Sequence, residues 1–174
     1  IRRFAITKEI LDIPNHRSSH ELPTPRGGGL AFVGCFLLSL IFLKTQHLLD
    51  TSLFVSFMTA GLLVATLGFL DDRYGMPSHW RLIGHFSAAA IMIYGVQGLP
   101  ALEIVSWTLP AGTVLNILTL FYLVWLLNLY NFMDGIDGIA SLELISVCLS
   151  AACLYWFSGA LELMALPLLL AVSV

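Results

Sequence analysis

Long apolar runs with almost no charge inside them recur along this chain, and that pattern sets the fold class. A helix needs about 20 mostly apolar residues to cross about 30 Å of hydrocarbon. Six candidate spans follow: 28–43, 53–70, 82–96, 114–130, 138–157 and 160–174. Several fall short of that length, so their ends extend into polar flanks or pack irregularly. Charged residues are 11% of the 174, against about 25% in an average soluble domain. A water-facing globule could not cover its surface with so few charges. The expectation is an all-α fold, a polytopic membrane helix bundle of about six transmembrane helices forming one domain over 1–174. A soluble enzyme domain, a disordered tail and a nucleic-acid binder are excluded; membrane lipid is a partner and nucleic acid is not. Residue 1 is Ile, and the last apolar run stops without a polar flank, so the chain is expected to be part of a longer protein. The N-terminal stretch is polar and basic, without the apolar core of a cleavable signal. Cys35, Cys148 and Cys153 lie inside apolar runs and read as small buried hydrophobes rather than a disulfide framework.

The basic residues orient the spans. Arg2, Arg3, Lys8, Arg17 and Arg26 precede the first span, and Arg73 and Arg81 lie between the second and third. Only Lys44 lies between the first and second, and none between the third and fourth. The positive-inside rule places the two basic clusters in the cytoplasm, and alternation places 131–137 there as well. Three polar segments, 12–29, 71–81 and 128–138, then share the cytoplasmic face. A site assembled from loops on one face suits an enzyme using a cytosolic substrate. A transporter, the rival from another class, would carry acids midway along its spans.

Asp71 and Asp72 stand where the second span meets that interface. Adjacent carboxylates repel unless a cation or proton is shared. Hard oxygen ligands of this kind suit Mg²⁺, which binds through one or two carboxylates plus substrate phosphates; Mn²⁺ is the alternative. The bland reading is a solvated helix end. The run NLYNFMDGIDG, 128–138, places Asp134 and Asp137 one helical turn apart. Gly135 and Gly138 permit close backbone approach, and Asn131 adds a donor and an acceptor. Asp137 also suits the N-cap of the fifth helix. In NHRSSHELPTPRGGG, 15–29, Pro23 and Pro25 stiffen the approach. Gly27, Gly28 and Gly29 then open the first span, and their free N–H groups, with Arg26 and His20 close by, suit a phosphate cradle. His85, Trp80, Trp107, Trp125 and Trp156 read as interfacial residues, and Glu143 and Glu162 as acids near helix starts.

Together these three segments resemble the polyprenyl-phosphate N-acetylhexosamine-1-phosphate transferase family, glycosyltransferase family 4, from about Asp12 to Ala140. PTPRGGG at 23–29 is similar to the family's first cytoplasmic motif, Asp71-Asp72 followed by Arg81 to its aspartate-pair motif, and NFMDGIDG at 131–138 to its nucleotide-site motif. The string DIPNHRSSHELPTPRGGG resembles the branch that initiates O-antigen lipopolysaccharide. The phospho-N-acetylmuramoyl-pentapeptide branch of peptidoglycan synthesis carries lysines where this chain has Glu21 and no Lys after the aspartate pair.

The resemblance implies a bacterial inner-membrane enzyme with its loops in the cytoplasm. It implies transfer of an N-acetylamino-sugar-1-phosphate from a UDP-sugar to undecaprenyl phosphate, with UMP released. By the same resemblance Asp71 and Asp72 are catalytic. Asp71, Asp72 and Asp137 are metal ligands. Thr24, Arg26, Gly28, Gly29, Arg81, Asn128, Asn131, Asp134, Gly135 and Asp137 bind substrate. The family's downstream Gly-Asp-Ser/Thr-Gly motif and His-rich loop are not in these 174 residues, so the stretch is expected to be inactive alone. The oligomer is left open, a homodimer included. An inactive truncated remnant is a further reading. A CDP-alcohol phosphotransferase is not, because its Asp-rich signature has another spacing.

Overall fold

A computed structural model of the protein describes residues 11–12, 24–25, 28–104, 106–133 and 138–173. The helices are α1 (Gly28–Thr45), α2 (Thr51–Tyr74), α3 (Ser78–Gly95), α4 (Thr113–Met133), α5 (Ile139–Ser158) and α6 (Ala165–Ser173). A short 3₁₀ turn, Leu161–Met164, precedes α6. Two small antiparallel pairs join β1 (Leu11–Asp12) to β2 (Thr24–Pro25) and β3 (Leu102–Ile104) to β4 (Trp107–Leu109). The six expected apolar segments are six helices.

Three of these, α2, α4 and α5, are long and apolar enough to cross a membrane. At 24 residues, α2 is about 36 Å long, more than the hydrocarbon thickness. The segment read as a span over 82–96 begins earlier, at Ser78, and carries His79, Arg81 and His85 in its first half. The sixth run does not form one continuous span: a 3₁₀ turn takes its first residues, leaving nine for α6. Many large side chains point outward; Leu38 is 67% and Phe157 86% exposed. On helices of this composition such faces are solvated by lipid. Cys148 is buried, but Cys35 and Cys153 are exposed, which corrects the expectation that all three are buried.

Packing divides the chain into two compact units, 1–48 with 130–174, and 49–129. In the first, α1 packs on α6 and α5 turns into α6. Leu40, Leu43, Cys148 and Ala152 are its buried side chains. Gly159 makes the turn after α5 in the left-handed region (φ 76°), its N–H donating to the Trp156 carbonyl.

The second unit is a run of three antiparallel helices. Small residues let α2 and α3 approach closely, as in membrane helix pairs generally: Ser56 and Ala60 of α2 are buried, as are Gly84, Ala88, Ala89 and Gly95 of α3. At one end Ser52 Oγ donates to the Gly95 carbonyl (3.0 Å). At the same end the Asn116 side-chain oxygen, in the first turn of α4, accepts from Leu99 N–H (3.1 Å). Midway, Phe86 and Phe121 join α3 to α4 edge to face. The opposite end, where α2 finishes and α3 begins, holds the charged residues.

Candidate active site at one end of the second unit

The helix α2 does not stop at Leu70. It runs through Asp71 and Asp72 to Tyr74, and Gly75 ends it with a left-handed backbone (φ 64°). The Gly75 N–H donates to the Asp71 carbonyl (2.8 Å), closing the last turn. The Asp71 side chain then holds the turn that follows. Its Oδ1 accepts from Met76 N–H (2.8 Å), and its Oδ2 accepts from Arg81 Nη1 (2.8 Å) in an ion pair joining α2 to the first turn of α3. Pro77 starts α3 where a backbone N–H is not needed.

Neighbouring positions on a helix point about 100° apart. Asp71 and Asp72 therefore do not present one symmetrical pair of carboxylates. Asp71 is half-buried and anchors the turn; Asp72 is exposed. Because the pair with Arg81 is partly exposed, solvent screens it. Asp71→Ala is expected to destabilise the protein by about 1–3 kcal/mol, since it also strips Met76 N–H of its acceptor, and Asp71→Asn by less. Thermal unfolding in detergent measures this. An unchanged midpoint for the alanine variant would show that the turn does not depend on the carboxylate.

One turn beyond Arg81 on the same face of α3 lies His85. Its Nδ1 is 3.4 Å from the side-chain nitrogen of Asn128 on α4. That nitrogen also donates to the Val124 carbonyl (2.7 Å). Asp71, Arg81, His85 and Asn128 thus form a polar line across the three helices of this unit, at the end where Asp72 is exposed. His85, expected from the sequence as an interfacial residue, instead faces Asn128 of α4. The usable signal was the four-residue step from Arg81 to His85, which sets both on one helix face. A cleft of 720 Å³ lies at the other end, lined in part by Ser52, Tyr94, Gln97 and Asn116. Among the described residues its lining holds no carboxylate and no cation.

Asn131 belongs to the last turn of α4 and is exposed, rather than standing in a loop. Thr24 lies in β2, paired with Asp12. Gly28 and Gly29 open α1 as expected. Arg26, Asp134, Gly135 and Asp137 lie outside the described residues. Among the described residues no group of three or more His, Cys, Asp or Glu side chains is clustered as a metal site. The donor chemistry at Asp71 and Asp72 nevertheless fits a hard cation. Each carboxylate offers about four lone-pair sites, and Asp71 accepts one described donor on each oxygen. Mg²⁺ asks for only one or two protein carboxylates when phosphates complete its shell.

Residues 53–174 match the family model described as Glycosyl transferase family 4. The chain belongs to glycosyl transferase family 4. The matched stretch contains both the aspartate pair and the 128–138 run. With the family and three helices able to span a bilayer, this is a multi-pass membrane protein. The chain is also similar to decaprenyl-phosphate N-acetylglucosaminephosphotransferases. It is 33% identical to that of Mycobacterium leprae over 92 residues, 49% of this chain and 23% of the relative. It is 31% identical to that of Mycobacterium tuberculosis over 100 residues, 53% of this chain and 24% of the relative. With the Mycolicibacterium smegmatis protein the identity is 32% over 100 residues, 53% and 24% of the two chains. The matches thus span about a quarter of each relative's length. No solved structure matches.

Proposed function

We propose that the protein transfers an N-acetylamino-sugar-1-phosphate from a UDP-sugar to a polyprenyl phosphate. A phosphate oxygen of the lipid attacks the phosphorus that bears the sugar, the diphosphate bridge breaks, and UMP leaves. The observation that carries this reading is the family match over the stretch holding Asp71, Asp72 and 128–138. The relatives' names, which specify a decaprenyl phosphate and N-acetylglucosamine, support the two substrate classes. The finer reading is undecaprenyl phosphate as acceptor, at the cytoplasmic face of a bacterial inner membrane, initiating O-antigen. It rests on the resemblance of 12–29 and on the positive-inside count.

The described residues can perform definite parts of this reaction. Arg81 is a cation fixed at the end of the helix unit by Asp71, where an anionic headgroup would arrive. Asp72 offers an exposed carboxylate at the same end, able to take a proton from the acceptor phosphate or to ligate a cation. Asn128 and Asn131 lie about one turn apart on α4, both exposed, and by the family resemblance would bind the nucleotide. Asp71 and Asp72 would hold Mg²⁺, with Asp137 a further ligand by the family resemblance alone, and the cation would offset the charge of two approaching phosphates. In the full-length protein, UDP-GlcNAc with Mg²⁺ is expected to raise the melting temperature. Ligand at about 100 times its Kd adds about 2.7 kcal/mol. UMP release with undecaprenyl phosphate should accompany that shift. The absence of both a shift and UMP release with every UDP-N-acetylamino sugar tried would sink this reading.

A further inference from the structure

We propose that His85 is a positioning residue that turns the Asn128 amide so that only its oxygen is left for the substrate. The argument starts from the 2.7 Å contact between the Asn128 side-chain nitrogen and the Val124 carbonyl. An amide oxygen at that distance from a carbonyl oxygen would be repelled, so the nitrogen assignment is fixed by chemistry rather than by convention. The same nitrogen faces His85 Nδ1 at 3.4 Å. An amide nitrogen carries two hydrogens. One goes to Val124 and the other to His85, so Nδ1 must be the bare, accepting nitrogen of a neutral imidazole. His85 is therefore the Nε2–H tautomer.

Both Asn128 donors are then spent within the protein. Its Oδ1, on an exposed side chain, receives no donor among the described residues. Such a group accepts and cannot donate. It is unsuited to a phosphate oxygen, which also accepts, and suited to a ligand N–H or O–H. On the proposed UDP-sugar, these belong to the uracil imide, the ribose and the sugar, not to the diphosphate. The assignment rests on the proposed transfer reaction for its ligand, but its geometry stands apart from it. Arg81, four residues earlier on the same face, offers donors and takes the complementary task of meeting anions.

Two measurements on the full-length protein test this. The first needs no activity. Nitrogen-labelled histidine is followed by NMR in nanodiscs, and the His85 signal is assigned by its loss in His85→Asn. The expected spectrum shows a bare Nδ1 and a protonated Nε2, with the preference weakened in Asn128→Leu. A protonated Nδ1 in the wild type overturns the proposal. The second is kinetic. Asn places its amide oxygen near the position of Nδ1, whereas Gln reaches toward Nε2 and Leu supplies no acceptor. His85→Leu and His85→Gln are expected to raise KM for the UDP-sugar about three- to tenfold, the range of one neutral hydrogen bond. KM for the polyprenyl phosphate should hold, and His85→Asn should stay within about twofold of wild type. A wild-type KM in both His85→Gln and His85→Leu, or an equal rise in all three variants, overturns the positioning role while leaving the transferase reading intact. Absence of UMP release from the wild type sinks the transferase reading instead, and the tautomer measurement still decides the geometry.

Discussion

Asp72→Asn in the full-length protein is expected to leave expression and helical content unchanged and to lower UMP release by at least about a hundredfold, the usual scale for losing a positioned acid or base. The asymmetry between the two aspartates motivates this expectation. Asp71 has structural partners on both oxygens, the Met76 N–H and the Arg81 guanidinium, so its removal disturbs the α2–α3 turn as well as any chemistry. Asp72 sits one residue later, about 100° around the helix and exposed. Asn is nearly isosteric with Asp and keeps an acceptor, but it takes up no proton and is a poor ligand for a hard cation. Turnover should therefore fall by far more than stability does for Asp72→Asn, whereas Asp71→Asn also strips the α2–α3 turn of its carboxylate and should clearly lower both. Near-normal UMP release from Asp72→Asn would remove that residue from the proposed catalytic pair.

The helical skeleton was legible because hydrocarbon solubility and backbone satisfaction leave few options for long apolar runs. The ends of the helices were less so. The second apolar run stops at Leu70, yet α2 continues four residues further because Gly75 can take the left-handed cap and Asp71 can satisfy the turn beyond it. Likewise α4 continues through Asn131 to Met133, carrying one expected loop residue on a helix. The β3–β4 hairpin does not stand out in the sequence. Its alternation, Leu-Glu-Ile and Trp-Thr-Leu, is a period-two signal too short to stand out among helical runs. The individual site residues were visible as residue types, but their pairings were not. That Arg81 would meet Asp71, and His85 would meet Asn128 43 positions away, depends on how the three helices pack.

That packing carries the second large expected effect. Gly95→Ala is expected to destabilise the protein by about 1–3 kcal/mol, the range for overfilling a tight interface. A Cβ at Gly95 would collide with Oγ and Cβ of Ser56, and it would stand 3.5 Å from the Ser52 carbonyl. The hydroxyl can rotate away, but the Ser56 Cβ is fixed to a buried stretch of α2. Relief therefore requires the helices to part, which would loosen the Ser52 hydrogen bond to the Gly95 carbonyl. Ser56→Gly removes both colliding atoms, so the Ser56→Gly/Gly95→Ala double variant should recover most of the loss. The coupling in that cycle isolates the contact from general effects of either change. Gly68→Ala is the control. It lies in α2, the helix that carries Ser56, has open space where its Cβ would go, and is expected to be neutral or slightly stabilising, because Ala favours helix over Gly by about 1 kcal/mol. Thermal unfolding in detergent measures wild type, the two single variants of the cycle, the double variant and the Gly68→Ala control. If Gly95→Ala and Gly68→Ala melt together, α2 and α3 are not held at this contact. The register that brings Asp71 to Arg81, near the far ends of the same two helices, would then need another cause.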